Sequence, residues 1–179
     1  MLKGNKYAIT WLRSAFKPVL DAKFFTKTPR ELFYANAYKH CNILLGFNAN
    51  EGNLYVPRTG VFGSTIRENI FNRQQINYSS LITFVERYFE YYPQWPIKNN
   101  KIFLNSVLNE YTYLNERSHS NPYKAHLMKP DYFDVLDTIL GDELWICPIM
   151  RMADIFAKYN KVFLYQYKHR ISTSLWPSW

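Results

Sequence analysis

Glu51 is the side chain in this sequence best placed to do chemistry. It lies at the end of Ile43-Leu44-Leu45-Gly46-Phe47-Asn48-Ala49-Asn50-Glu51-Gly52, where an apolar, strand-like run breaks into a small polar turn that carries a carboxylate. A carboxylate mounted there can hold the tautomer of a histidine, which in turn activates a serine nucleophile. With the triad in the chain order serine, acid, histidine, a serine should precede Glu51 in a G-x-S-x-G elbow. The serine available before Glu51 is Ser14, in Trp11-Leu12-Arg13-Ser14-Ala15-Phe16, and it has no elbow glycines. None of the six glycines flanks a serine at that spacing. The histidines after Glu51 are His119, His126 and His169. The first two fall in a polar, proline-containing stretch that reads as a loop, and His169 closes a strand-like run. No metal-ligand spacing and no glycine-rich phosphate loop is present, so no metal and no cofactor is expected.

The elements that must position Glu51 follow from periodicity. Phe16 to Leu20 reads as a strand or extended piece. Thr28 and Pro29 open a helix running towards Lys39, with Thr28 as the cap and Pro29 in the first turn. Ile43 to Phe47 is a nearly continuous apolar run, the pattern of a strand covered on both faces. Leu81, Phe84, Val85, Tyr88 and Tyr92 share one helical face over residues 80 to 92. A second helix spans Asn100 to Leu114, with Phe103, Val107 and Tyr111 four apart. Tyr132 to Leu140 is a short helix that Gly141 is expected to stop. Ile149, Met152, Ala153 and Phe156 form another helical face, and Val162 to Tyr167 is the second strand. Two parallel strands bridged by about a hundred residues of helices read as part of an α/β sheet. Neighbouring strands would be needed to cover them, and an isolated chain with exposed strand edges is prone to aggregate.

The last forty residues carry a family resemblance. They read Gly141-Asp142-Glu143-Leu144-Trp145-Ile146-Cys147-Pro148, then a helical pattern, then Phe163-Leu164-Tyr165-Gln166-Tyr167-Lys168-His169-Arg170-Ile171-Ser172 and Trp176-Pro177-Ser178-Trp179. This resembles the cholinesterase branch of the type-B carboxylesterases. In that family a GD…CP segment leads a helix, a strand ends in HR-x-S, and a W-P-x-W turn runs into the catalytic H-G-Y-E. Upstream, Phe16-Lys17-Pro18-Val19-Leu20-Asp21-Ala22-Lys23-Phe24 resembles the family's F-x-P-V-x-D-G-x-F segment. The resemblance runs from about Trp11 to Trp179 and is weakest between Gly60 and Pro130.

The resemblance implies a partial α/β-hydrolase fold, with residues 1–179 a single partial domain from the C-terminal part of such an enzyme. It implies carboxylic or choline ester hydrolysis through an acyl-enzyme, with Glu51 as the triad acid and the serine and histidine outside this chain. Leu54 and Tyr55 would line the substrate gorge. In cholinesterases two aromatics stand there; Tyr55 matches the second, on the acyl side, and Leu54 replaces the one that contacts choline. Asp142, His169 and Arg170 read as structural, and Trp176 and Trp179 as packing for the histidine loop. The resemblance also admits a non-catalytic relative of the neuroligin or neurotactin kind, in which the same fold serves adhesion. It implies an extracellular, secreted or cell-surface protein, a homodimer seam on the helix 100–114 with Phe103, Val107 and Tyr111, or their neighbours Leu104 and Leu108, on its exposed face, and membrane anchoring, where there is any, outside this chain. It gives Cys147 a disulfide partner much further on, while Cys41 matches no family cysteine and reads as a small apolar residue entering a strand.

Composition agrees with one globular unit. At 47% hydrophobic residues the chain can fill a core, and no apolar run approaches the roughly 20 residues a spanning helix requires. The first residues have no apolar stretch of signal-peptide type. The net charge of +8 comes from lysines and arginines scattered singly along the chain, which argues against a nucleic-acid partner. Two cysteines are too few for a disulfide framework or a structural zinc site of about four ligands. Asn77-Tyr78-Ser79 is a glycosylation sequon ahead of a helical run.

Overall fold

A computed structural model describes residues 18–56, 76–90, 101–118 and 131–169. In chain order the elements are α1 (Pro29–Tyr34), β1 (Ile43–Asn48), α2 (Tyr78–Glu90), α3 (Lys101–Ser118), α4 (Tyr132–Gly141), a π-helical turn (Asp142–Ile146), α5 (Cys147–Ala157) and β2 (Val162–Tyr167).

Before α1 the chain turns on Asp21, whose Oδ1 accepts from the amides of Lys23, Phe24 and Phe25 at 3.0, 2.8 and 3.1 Å. These donors hold the Asp21 carboxyl below its ordinary range. The turn forces Ala22 to φ 60°, a left-handed conformation in which the Cβ crowds the backbone. Ala22→Gly should therefore stabilise the chain by about 0.5–1 kcal/mol, the relieved strain exceeding the entropy that glycine adds to the unfolded state. A urea midpoint unchanged or lowered by the substitution would contradict this. Residues 18–20 join no strand among the described residues.

Helix α1 has the expected start. The Glu31 amide donates to Thr28 Oγ1 at 3.2 Å, and the Thr28 amide donates back to Glu31 Oε2 at 2.8 Å, a reciprocal capping box. It ends sooner than expected, at Tyr34 rather than towards Lys39. The reason is Asn36, which sits at φ 55° and lets the Ala37 amide close on the Leu32 carbonyl at 2.8 Å. Asparagine is the commonest non-glycine residue for such a stop.

The two strands form a parallel pair in the register Ile43↔Val162 to Asn48↔Tyr167. One further bond, from the Ala49 amide to the Tyr167 carbonyl at 2.9 Å, carries the ladder past Asn48. Both runs expected as strands are strands. The expected cover on both faces is not there among the described residues: Leu44 is 68% exposed and Phe163 59%. The core lies instead among the helices. Leu81, Phe84, Val85 and Tyr88 of α2 meet Leu108 of α3 and Phe133, Leu136 and Leu140 of α4, with Val56 and Ile76 joining from the flanking chain. Over Leu81, Phe84, Val85 and Tyr88 the α2 face is the one its periodicity predicts, Tyr92 lying outside the described residues, and Asn77 caps that helix by accepting from the Ser80 amide at 2.9 Å.

Gly141 does not stop α4. It has helical angles (φ −61°, ψ −47°), and the chain winds on through a π turn into α5. The break in the hydrogen-bond pattern has a local cause. Pro148 has no N–H to give the Leu144 carbonyl four residues back, and its ring would clash with it. The wider π turn just ahead of Pro148 accommodates the proline without ending the helix.

Candidate active site

Glu51 stands immediately beyond the carboxyl end of β1 and folds back onto it. Its Oε1 accepts from the Asn48 amide at 2.6 Å and from Asn48 Nδ2 at 3.1 Å. The strand's last residue thus fixes the carboxylate through one oxygen. Among the described residues Oε2 has no hydrogen-bond partner, so one oxygen of a half-buried carboxylate is uncommitted. The turn then tightens: the Tyr55 and Val56 amides donate to the Gly52 carbonyl at 2.7 and 3.1 Å.

The turn is seated on α4. A Cβ added at Gly52 would overlap the Asp137 carbonyl oxygen and lie 2.7 Å from its carbonyl carbon. One helical turn on, a Cβ at Gly141 would come within 3.3 Å of the Gly52 nitrogen and 3.6 Å of Glu51 Cβ. Residues four apart share a helix face, so Asp137 and Gly141 together make the floor under the acid turn. Gly141 is needed for close approach, not for termination.

Asp137 gives this floor its polarity. It is 4% exposed, and its Oδ2 accepts from Asn50 Nδ2 at 2.7 Å. The Gly52 and Asn53 amides favour its charge without completing a hydrogen bond to Oδ1, which is buried without a partner among the described residues. Burial outweighs these donors, and the Asp134 charge adds to it, so the carboxyl is pushed up to about 6. A carboxyl that keeps its proton to higher pH when folded contributes stability that is complete below the ordinary aspartate range. That contribution is lost as pH rises through about 6. The stability difference between Asp137→Asn and the parent should therefore shift in favour of the variant between pH 4 and pH 7 in urea titrations. A difference that stays flat across that window would contradict the burial argument.

The other expected site residues divide. Leu54 is exposed, while Tyr55 packs against the helical core. Asp142 is structural, as expected: it accepts from the Tyr111 hydroxyl at 3.0 Å and ties α3 to the π turn. Burial raises both partners, and the Asp142 charge raises Tyr111 further. Burial likewise raises Glu143 and the Cys147 thiol. His169 is exposed just past β2, edge-on to Tyr167 at 6.4 Å. Cys41 and Cys147 are both free and exposed, so Cys41 is not the packed residue that its neighbourhood suggests. Ser14, His119, His126, Arg170, Trp176 and Trp179 lie outside the described residues. Among the described residues no cluster of acids, histidines and cysteines could hold a metal, and no helix is long and apolar enough to cross a membrane.

Asp137 and Gly141 are the site residues that sequence reasoning missed. The signal was present, because Asp137 falls on the same face as Phe133, Leu136 and Leu140 within an apolar helix. A charge in that position must find partners.

The profile of the carboxylesterase family matches residues 7–179. The chain is 29% identical over 168 residues to acetylcholinesterase from Bungarus fasciatus, covering 93% of this chain and 24% of that protein. It is 26% identical to acetylcholinesterase from Myxine glutinosa (93% and 44%) and 27% identical to cholinesterase 1 from Branchiostoma lanceolatum (92% and 40%). The chain therefore spans between about a quarter and somewhat under half the length of these relatives. The parallel strands, the helices between them and the match over almost the whole sequence make this chain a member of the carboxylesterase family, with a partial α/β-hydrolase fold.

Proposed function

We propose that this chain is the acid-bearing part of a serine ester hydrolase. Glu51 is the triad carboxylate, and serine and histidine are supplied by sequence outside residues 1–179. The observation that carries this reading is the parallel pairing of β1 and β2. It brings the chain beyond Tyr167 to the same sheet edge from which the Glu51 turn emerges. A histidine arriving there would meet a carboxylate already fixed through Oε1 and open at Oε2. In the full site the serine attacks the ester carbonyl as its proton passes to the imidazole. The alcohol leaves with that proton, and a water activated by the same imidazole releases the acid from the acyl-enzyme. Glu51 sets the tautomer and stabilises the imidazolium.

The relatives named above are cholinesterases. This chain offers Leu54 where a choline-contacting aromatic would stand, and an aliphatic side chain has no ring quadrupole to attract a quaternary ammonium. The substrate class proposed is therefore an uncharged carboxylic ester. The protein would be extracellular, in keeping with the resemblance. A homodimer seam on α3 would use Ile102, Tyr113 and Leu114, which are exposed, because Leu104, Leu108 and Tyr111 already face this chain's own core.

The test is to read the transcript on both sides, express the longer product and assay naphthyl acetate alongside acetylthiocholine. Turnover abolished by an organophosphate is expected, with the naphthyl ester preferred, and none from the 179-residue chain alone. A transcript lacking a G-x-S-x-G elbow overturns the enzyme reading in favour of the adhesion class. Organophosphate-sensitive turnover by the short chain overturns the assignment of the missing groups.

A further inference from the structure

We propose that Asp137 is the positioning residue of the acid turn, its buried carboxylate clamping the segment Asn50–Asn53 onto α4 so that Glu51 keeps its place at the strand end. This deepens the esterase reading and rests on it for its catalytic meaning. The clamp itself is a statement about geometry.

Between the strand end and Tyr55 the turn is held in few other ways. Glu51 and Asn48 hold each other, but both belong to the same short stretch and would move together. The ladder to β2 ends at the Ala49 amide, before the turn begins. From Asn50 to Asn53 the seat on α4 relates the turn to the rest of the fold, and beyond it Tyr55 and Val56 pack into the helical core. Two features make that seat. One is steric: Gly52 and Gly141 let the two backbones approach without a side chain between them. The other is a side-chain bond between the turn and α4, from Asn50 Nδ2 to Asp137 Oδ2 at 2.7 Å. Asn50 is exposed, and Asp137 is one of the most buried polar residues described. A half-exposed turn is thus tied to a fixed point inside the core. The groups facing Asp137 are the Asn50 carboxamide and the Gly52 and Asn53 amides from the turn, and Asp134 from its own helix. No described cation faces it to draw the carboxylate elsewhere.

Hydrogen–deuterium exchange on the full 179-residue chain tests this directly, because the Asn53, Tyr55 and Val56 amides are bonded within the turn. In Asp137→Ala, peptides covering residues 49–56 should exchange at least about tenfold faster, while those of α2 stay as in the parent. Asp137→Asn, which keeps a carbonyl to accept from Asn50, should restore most of the protection. Asn50→Ala removes the same bond from the exposed side and guards against a core variant that simply fails to fold. It should reproduce the local loss. Unchanged protection of residues 49–56 in Asn50→Ala overturns the clamp, as does an equal loss in Asp137→Asn and Asp137→Ala. Exchange does not depend on ester turnover. A failed clamp therefore leaves the esterase reading standing, and an inactive parent protein leaves the clamp standing.

Discussion

Glu51→Gln is expected to lower kcat of the longer product, on the proposed esterase reading, by about 10⁴-fold while leaving its fold intact, the size of effect seen when the orienting acid of a serine triad becomes an amide. The argument begins at Asn48. Its amide donates to Oε1 of Glu51 at 2.6 Å, and a glutamine carbonyl oxygen accepts that bond equally well. The turn and its seat on α4 therefore survive the substitution. The change falls on the other oxygen. Where Glu51 offers Oε2 as an acceptor, glutamine offers an NH₂ group, which can only donate. An imidazole facing a donor presents its unprotonated nitrogen to it. The proton then lies on the nitrogen that should take the serine's, and the serine is no longer activated.

Two measurements make this specific. Circular dichroism and urea midpoint should match the parent, because the bond from the Asn48 amide is kept. KM should move far less than kcat, because in the proposed triad Glu51 would contact the histidine and not the ester. A loss below about tenfold would remove Glu51 from the triad and leave its bond to Asn48 as an ordinary strand-end cap.

How much of this was legible in the sequence depends on whether a residue's role is local. The two strands announced themselves as apolar runs, and both are found within a residue of where those runs lie. The α2 face was legible because Leu81, Phe84, Val85 and Tyr88 repeat at helical spacing, and all four are buried. The Thr28 cap was legible because its partner, Glu31, is three residues away. The Glu51 turn was legible as a turn because small polar residues end an apolar strand abruptly.

What escaped the sequence has its cause far along the chain or in a single backbone angle. Asp137 and Asn50 are 87 positions apart, and periodicity says that a position is buried without saying by what. Gly141 looked like a stop because glycine commonly ends helices, but its missing side chain makes room for a turn 89 residues earlier. The π turn follows from Pro148, yet a proline there is equally compatible with the start of a fresh helix. The exposure of β1 and β2 could not be read from their composition either. An apolar run reports the cover a strand is built for, and the described residues supply only part of it.

Gly52→Ala should destabilise the chain by about 3 kcal/mol or more, the upper range for inserting a methyl group where there is no room. Gly52 does not occupy the left-handed region, so its conformation is open to any residue, and space alone is what demands glycine. The atoms in the way are backbone: the Asp137 carbonyl oxygen, its carbon at 2.7 Å and its Cα at 2.8 Å. They belong to the middle of α4, whose neighbours Leu136 and Leu140 are wholly buried, so the helix cannot retreat without opening the core. The turn must lift instead, which breaks the bond from Asn50 to Asp137 and moves Glu51. Gly46→Ala is the matched control. There too a Cβ would overlap its neighbour, but that neighbour is the far end of the Tyr165 ring, which is 52% exposed and free to swing aside. Its cost should stay under about 1 kcal/mol. The two variants therefore remove the same hydrogen and add the same methyl six residues apart, with expected urea midpoints well separated. If they unfold together, the acid turn is not seated on α4, and the floor of Asp137 and Gly141 loses its meaning for the site.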